Sequence, residues 1–383
     1  MAKILLIRFS AFGDVAMMVP IVHSLAVQYP QHDITVLSRV QFAPLFATMP
    51  SNTHFLGVDL ARDYAGISGL NKLYKELRSQ NFDCVADFHG VLRSMYLRFC
   101  FFLSGRKTSC IHKGYKAKRK LTRMGYHRLK PLKTSFQRYA DVLKRLGLPV
   151  SPQFTSIYGT STELGTGTSK GSLSMDTLNL TGTKDGVYWI GIDLLLADWL
   201  NSYTFPEESK FSNIKYKYLL LPIWISSFTY KGKIYPLDKM QKVIESLSKK
   251  KQSKVFLFGG GDTEVARLDG WSRQYENVVS VAGRLPLEQE LALISHLDLM
   301  VSMDSANMHL ASLVGTPVLS VWGATHPYAG FLGWNQSETN TIQKDLPCRP
   351  CSVFGNKPCR FNNYDCLQIQ PQSILRKIDS LLS

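Results

Sequence analysis

The stretch DLMVSMDSANMHLASLVGTPVLSVWGATHP, Asp298 to Pro327, decides the fold. Leu297 to Met303 is an apolar run of strand length, and Asp304 and Ser305 are residue types that start helices. Met308 to Leu313 is a small-residue helical turn, and Gly315-Thr316-Pro317 stops it before a second apolar run, Val318 to Trp322. The grammar is strand, helix, strand. In a parallel sheet this junction leaves the N–H groups of Ser305, Ala306 and Asn307 without intrahelical partners, at the crevice beyond the carboxyl end of the first strand. A diphosphate suits such a place, because the helix end favours negative charge and the small side chains allow close approach. Asp304 reads equally as a helix cap, and His309 as a helix residue with a local partner.

The same grammar extends in both directions. Lys3 to Phe9 reads as a buried strand, followed by the loop Ser10-Ala11-Phe12-Gly13-Asp14, a helix from Val15 to Tyr29 and a strand from Asp33 to Ser38. Leu70 to Gln80 (helix), Asp83 to Asp87 (strand) and Leu92 to Leu103 (helix) continue it, which gives an N-terminal doubly wound domain over residues 1–150. Residues 151–186 are rich in Ser, Thr and Gly and read as a linker. Alternation resumes over 187–355, with strands at Val187 to Ile192, Lys254 to Phe258 and Val278 to Ala282 and helices at Leu237 to Lys250, Glu264 to Tyr275 and Leu287 to His296. Two such sheets facing across a cleft bind ligands at their carboxyl ends.

Composition narrows the class. With 383 residues, 45% hydrophobic, the chain can bury a core of two-domain size. No apolar run is long enough to span a bilayer, and Arg8 and Asp14 interrupt the N-terminal apolar segment, so a cytoplasmic location is expected. The formal charge is +16, and between Ser104 and Ala140 there are 12 Lys or Arg with no Asp or Glu. That segment calls for an anionic partner. The triple glycine at Gly259 lacks the GxGxxG spacing, as does SAFGD, which argues against a dinucleotide-binding enzyme.

KILLIRFSAFGDV at the N-terminus, KIYP at Lys233 to Pro236, GGGDTE at Gly259 to Glu264 and the DSANMHLASLVGTPVLSVWGATHP stretch together resemble the heptosyltransferase family, glycosyltransferase family 9. The resemblance covers roughly residues 1–150 and 231–383. It implies an α/β fold of GT-B type, two Rossmann-like doubly wound domains facing across a cleft, with residues 356–383 packing back toward the N-terminal domain. It further implies an inverting transferase without cofactor or catalytic metal. Such an enzyme moves a heptose or related sugar from a nucleotide-sugar donor such as ADP-heptose to an anionic glycolipid acceptor of the lipopolysaccharide core.

Within that resemblance Asp14 occupies the position of the catalytic base. A hydroxyl is a poor nucleophile and needs a carboxylate in reach to take its proton; read alone, Asp14 is equally a helix cap. Departure of a diphosphate requires positive charge, expected from Lys233 and the helix end at Ser305, Ala306 and Asn307. Lys233 matches the family's phosphate-contacting lysine, although Ile234-Tyr235-Pro236 follows it here in place of Trp-Pro. Asp304 is expected to hold donor-sugar hydroxyls and His309 to face the phosphates or pack under the loop. Glu264 resembles a nucleotide-contacting position and otherwise serves as a helix-start acid.

Lys116, Lys118, Arg119 and Lys120, in KAKRK, are expected to meet the phosphorylated acceptor and draw the protein to the inner leaflet of the membrane as a peripheral protein. A solvated helix face is the plain alternative. Nucleic acid is not expected, since no binding motif accompanies the patch. Cys348, Cys351, Cys359 and Cys366, spaced C-x2-C-x7-C-x6-C, read either as a structural zinc site or as reduced thiols packing a C-terminal loop. Residues 193–230 depart from the family pattern, with Trp199, Tyr203, Phe205, Phe211, Tyr216 and Trp224 available as a lid or contact surface. A second reading follows: a non-catalytic binding protein on a GT-B scaffold, with this insert as its working surface.

Overall fold

A computed structural model describes residues 1–123, 129–159, 186–194 and 230–383. Most of the linker and of the 193–230 insert, including the six aromatic residues named above, lies outside the described residues, as do Tyr126 and Arg128 of the basic segment.

The N-terminal sheet is β1 (Lys3–Ile7), β2 (Asp33–Arg39), β3 (Thr53–Val58), β4 (Cys84–Asp87) and β5 (Lys107–Cys110), all parallel, in the order β3-β2-β1-β4-β5. KILLI takes the central place because its residues from Ile4 onward are apolar on both faces, as a strand covered by helices on each side requires. The helices are α1 (Phe12–Ala16), α2 (Val19–Gln28), α3 (Gly66–Ser79), α4 (Leu92–Leu103), α5 (Tyr115–Leu121) and α6 (Ser135–Arg145). The single helix expected over 15–29 is two, interrupted at Met17 and Met18. Pro20 has no N–H to give, so it sits in the first turn of α2 and not mid-helix.

The C-terminal sheet is β6 (Tyr188–Asp193), β7 (Ser253–Phe258), β8 (Val278–Ser280), β9 (Leu299–Met303), β10 (Val318–Trp322) and β11 (Thr341–Gln343), again parallel, in the order β11-β10-β9-β6-β7-β8. Its helices are α7 (Leu237–Ser248), α8 (Asp262–Gln274), α9 (Leu287–His296), α10 (Ala306–Leu313) and α11 (Pro371–Leu382). This order reverses between β6 and β9, so the crevice that doubly wound sheets use for ligands opens between Asp193 and Asp304. In the N-terminal sheet the reversal lies between β1 and β4. The loop carrying Asp14 follows β1.

The two halves share one continuous core, in which Val15, Met18 and Ile21 pack with Met308, Leu310 and Leu313. Backbone bonds stitch the seam: Leu132 N–H donates to Tyr328 O at 2.9 Å and Ser135 N–H to Gly330 O at 3.0 Å. Gly330 has φ +87°, and a Cβ there would stand 2.5 Å from Lys133 O, so only glycine fits. The expected return of residues 356–383 to the N-terminal domain does not hold for α11. Its Ile374 and Ile378 are buried with Met240, Val243 and Ile244 of α7, because the apolar stripe of α11 meets its complement there. Among the described residues no helix is long and apolar enough to cross a membrane.

Candidate active site between the two sheets

Asp14 lies in α1, on the first crossover after β1. Arg8, buried at the end of β1, brings Nη2 to 2.6 Å from Asp14 Oδ2 and Nη1 to 2.5 Å from Phe88 O. Tyr139, fully buried in α6, donates to Asp14 O at 3.1 Å, and its ring lies under the Arg8 guanidinium with 5.6 Å between Cζ and centroid. Arg8 thus orients the carboxylate and Tyr139 the backbone that carries it, while the Asp14 side chain keeps 31% exposure. Ala11, which precedes α1, makes no side-chain cap bond, so Asp14 is not the cap that the sequence allowed.

Across the seam, α1 packs on α10. Gly13 approaches so closely that a Cβ there would be 2.7 Å from His309 Cδ2, which is why the loop carries glycine at this point. His309 is buried, and burial pushes its imidazole down to about 4, with Asp304 and Asp14 pulling upward and Lys233 adding to the depression. The ring is therefore neutral near pH 7. Its Nδ1 has no hydrogen-bond partner among the described residues, so the side chain is not satisfied by local packing. The charges acting on His309 come from both halves: Asp14 from the loop whose Gly13 abuts the ring, and Asp304 with its ion partner Lys233 from the other. Tyr230 joins them: its hydroxyl is raised by burial and by Asp14, and its ring centroid is 5.9 Å from Lys233 Nζ.

Lys233 Nζ is 2.9 Å from Asp304 Oδ2 and donates to Asp304 O at 3.1 Å. The carboxylate contact is an ion pair outside good hydrogen-bond geometry, which is why Oδ2 stands without a hydrogen bond while its charge is matched.

The three amides after Asp304 are not all open. Ser305 N–H donates to Met303 O at 2.8 Å, and Ser305 Oγ caps α10 by accepting from Asn307 N–H at 3.2 Å. Of the three, Ala306 N–H is the one the described residues leave to a ligand. The expected seat of three amides is corrected to one, because the serine is a helix cap before it is anything else.

The sequence reading missed Asp193. At the end of β6 and buried, it accepts from Ser302 Oγ at 3.0 Å, from Asn307 Nδ2 at 3.0 Å and, closely, from Ser305 Oγ. Burial raises its pKa against those bonds. Glu290 of α9, also missed, is pushed up to about 7 by burial and then by Asp193. The signal was available: Asp193 ends an apolar strand next to the switch point, where a lone acid among apolar residues is informative.

Glu264 folds back over the turn before α8, and Oε2 accepts from Gly260 N–H at 3.0 Å. A Cβ on Gly259 would be 2.6 Å from Glu264 Cδ, so the glycine run makes room for this carboxylate.

The four cations of KAKRK separate. Lys116, Arg119 and Lys120 are exposed, whereas Lys118 is buried at the seam, with Nζ 4.5 Å from the Phe331 centroid and 5.5 Å from that of Phe354. Burial and the neighbouring Arg138 bring it down to about 8, against the pull of Asp14. The expectation of one solvated or one acceptor-facing run is corrected to three surface cations and one interdomain lysine.

The four C-terminal cysteines are free thiols, and no group of three or more His, Cys, Asp or Glu among the described residues is disposed to hold a metal. Cys366 packs with Ala324 and Leu367 in a small apolar cluster against which Cys351 also lies, and Cys348, Cys351 and Cys359 all act on the Cys366 thiol, so the four share one neighbourhood. Loop 344–351 is held instead by Arg349, which donates to Gly323 O at 2.5 Å, Thr325 O at 2.9 Å and Gln343 Oε1 at 3.0 Å.

Comparison with known proteins agrees with this architecture. Residues 205–364 match the family model of glycosyltransferase family 9 (heptosyltransferase); the match begins inside the stretch read as an insert. Over 114 residues, 29% of the chain, it is 33% identical to lipopolysaccharide heptosyltransferase 3 of Escherichia coli K12. That alignment spans 32% of the relative, so the chain matches about a third of the length of this protein. A glycosyl transferase family 9 structure from Veillonella parvula superposes with TM-score 0.65 at 16% identity, covering 100% of this chain and 97% of that one. E. coli ADP-heptose lipopolysaccharide heptosyltransferase II superposes with TM-score 0.64 at 17% identity, covering 100% and 98%. An E. coli heptosyltransferase determined with ADP gives TM-score 0.59 at 15% identity, covering 99% of both chains. The chain has the GT-B fold, and its residues 205–364 match the model of glycosyltransferase family 9, the heptosyltransferase family.

Proposed function

We propose that the protein is an inverting glycosyltransferase that moves a heptose or related sugar from a nucleoside-diphosphate donor of the ADP-heptose kind to an anionic glycolipid acceptor of the lipopolysaccharide core. The observation that carries the reading is the close packing of the Asp14 loop, through Gly13, on His309 of the other half, where the Lys233–Asp304 ion pair also acts. In this scheme Asp14 takes the acceptor hydroxyl's proton as the new glycosidic bond forms on the face opposite the leaving group. The bond from the anomeric carbon to the diphosphate breaks, and Lys233 with Ala306 N–H meets the charge that develops there. Positive charge from the chain itself makes a catalytic metal unnecessary.

Asp304, freed from Lys233 when the diphosphate takes that ammonium, turns to the sugar hydroxyls. His309, neutral, donates one hydrogen bond to the phosphates or sugar. Glu264 contacts the nucleoside. Asp193 holds the start of α10 in register. Lys118, with Lys116, Arg119 and Lys120 outside it, receives the acceptor's phosphates, and the site works at the cytoplasmic face of the membrane.

The similarity to proteins whose names include ADP-heptose and lipopolysaccharide supports the donor and acceptor classes. The alternative of a non-catalytic scaffold is separated by screening nucleotide sugars by thermal shift and then measuring acceptor-dependent release of the nucleoside diphosphate. A donor that raises Tm and turns over supports the enzyme. Binding without turnover at any acceptor tested supports the scaffold.

A further inference from the structure

Helix α4, LRSMYLRFCFFL, carries apolar side chains on two opposite faces, with Arg93 and Arg98 between them. Its inner face, Leu97 and Phe101, seals the N-terminal sheet. Its outer face is Leu92, Met95, Phe99, Phe102 and Leu103, with exposures from 42% for Met95 to 85% for Leu92. At about 100° per residue these five side chains fall within an arc of roughly 100°, opposite the buried face. Ile67 of α3, 71% exposed, lies one turn before Asn71, which bonds Tyr96 of α4, and so lengthens the stripe. Isolated apolar residues on a surface are ordinary, but a row of large ones along one helix marks a contact.

A second feature adjoins it. At the far ends of α3 and α4, beside Phe102 and Leu103, a groove of about 430 Å³ is lined by Lys75, Arg78 and Arg106 together with Phe82, Phe101 and Ser104. No carboxylate lines it. Arg93, at the start of α4, and Lys107, at the start of β5, are exposed as well.

We propose that this face docks the protein on an anionic phospholipid bilayer, with α4 lying in the interface, its apolar stripe at the acyl boundary and the lipid phosphate in the Lys75–Arg78–Arg106 groove. An apolar stripe flanked by cations has the composition of an interfacial helix. Charge selects this occupant over a second copy, since two such faces pressed together would bring six groove cations into one contact with no carboxylate between them. It also moves the bilayer contact away from KAKRK, which is left to the acceptor's phosphates. The proposal stands apart from the transferase reading, because vesicle binding is measured without donor or acceptor.

The test is flotation of the purified full chain with vesicles of phosphatidylethanolamine and phosphatidylglycerol, and with vesicles of phosphatidylcholine alone. The wild type is expected to float with the anionic vesicles. Phe99→Asp with Phe102→Asp lowers that partition at least 10-fold, Lys75→Glu with Arg78→Glu abolishes the preference for anionic vesicles, and Lys116→Glu with Lys120→Glu has the smaller effect. Phe102→Trp, a mild change, shifts the protein's indole emission to the blue when anionic vesicles are added. Equal partition of the wild type and the Phe99/Phe102 variant overturns the proposal. So does a fall of several degrees in the variant's Tm, which means the chain itself covers the stripe, or a wild-type dimer that the variant splits. An unshifted emission from the Phe102→Trp protein in the presence of bound vesicles counts against it as well.

Discussion

Lys233 Nζ sits 2.9 Å from Asp304 Oδ2, and both side chains are largely withdrawn from water. A charge pair in such a place is costly to leave half made. Lys233→Met is expected to destabilise the fold by about 3–5 kcal/mol, because Asp304 is left buried and uncompensated. The double variant Lys233→Met with Asp304→Asn is expected to recover part of that loss while binding no donor. Denaturant unfolding of the four proteins in a cycle checks it; strict additivity would show that the two groups do not depend on each other.

Asp193 gathers Ser302, Ser305 and Asn307 at the start of α10. Asp193→Ala leaves three donors to find new partners, at a cost of about 1–3 kcal/mol for each left buried and unpaired. Donor affinity is expected to fall more than acceptor affinity, since the helix start faces the donor. Isothermal titration with the nucleoside diphosphate reads this, and an unchanged Kd would place the network outside the site.

Lys118 separates from its neighbours by burial between Phe331 and Phe354. Lys118→Gln is expected to raise acceptor KM at least 10-fold with donor KM within about twofold, and more than any single change at Lys116, Arg119 or Lys120. Because the ammonium is held down to about 8, acceptor KM should also rise as pH passes upward through that value, while the Lys118→Gln enzyme shows no such step. Steady-state kinetics from pH 7 to 9.5 decide between these outcomes.

Acid should weaken the fold. His89, His309 and His326 are pushed by burial to about 3, about 4 and about 4, below the ordinary value of 6.5. Between roughly pH 4 and 6.5 the unfolded chain therefore binds protons that the folded chain refuses, and stability falls as pH falls through that window. Glu290, raised to about 7 from 4.5, acts with the opposite sign, its contribution being lost as pH rises from 4.5 through 7. Asp193, also raised by burial, acts with the same sign as Glu290, but three histidines outweigh the two carboxyls, so Tm should drop on going from pH 7 to 4.5, and His309→Gln should flatten the slope. A Tm that is level or rising toward acid would contradict this balance.

The layered architecture was readable because apolar runs of strand length alternate with helical periods. Leu92 to Leu103, Leu287 to His296 and Val318 to Trp322 coincide with α4, α9 and β10. What escaped depends on contacts distant in the chain. The strand Lys107 to Cys110 carries a Lys, a Thr and a Ser, and gains its place only by pairing with β4 at the sheet edge. Thr341 to Gln343 likewise exists as a strand through β10. Lys118 and Lys116 cannot be told apart by composition; which one is buried is decided by Phe331 and Phe354, more than two hundred residues away. Asp193 and Ser305 stand more than one hundred residues apart and meet only because β6 and β9 are neighbours in the sheet. The capping of α10 by Ser305 was legible locally, and it should have removed Asn307 N–H from the anion seat at once.

In the proposed mechanism Asp14 removes a proton from an acceptor bound opposite the donor site. The direct measurement is acceptor-dependent release of nucleoside diphosphate by wild type and Asp14→Asn, with donor Kd determined for both. The account predicts turnover lowered by about 10²–10⁴-fold in the variant with donor Kd within about threefold. Turnover in Asp14→Asn equal to wild type would contradict it.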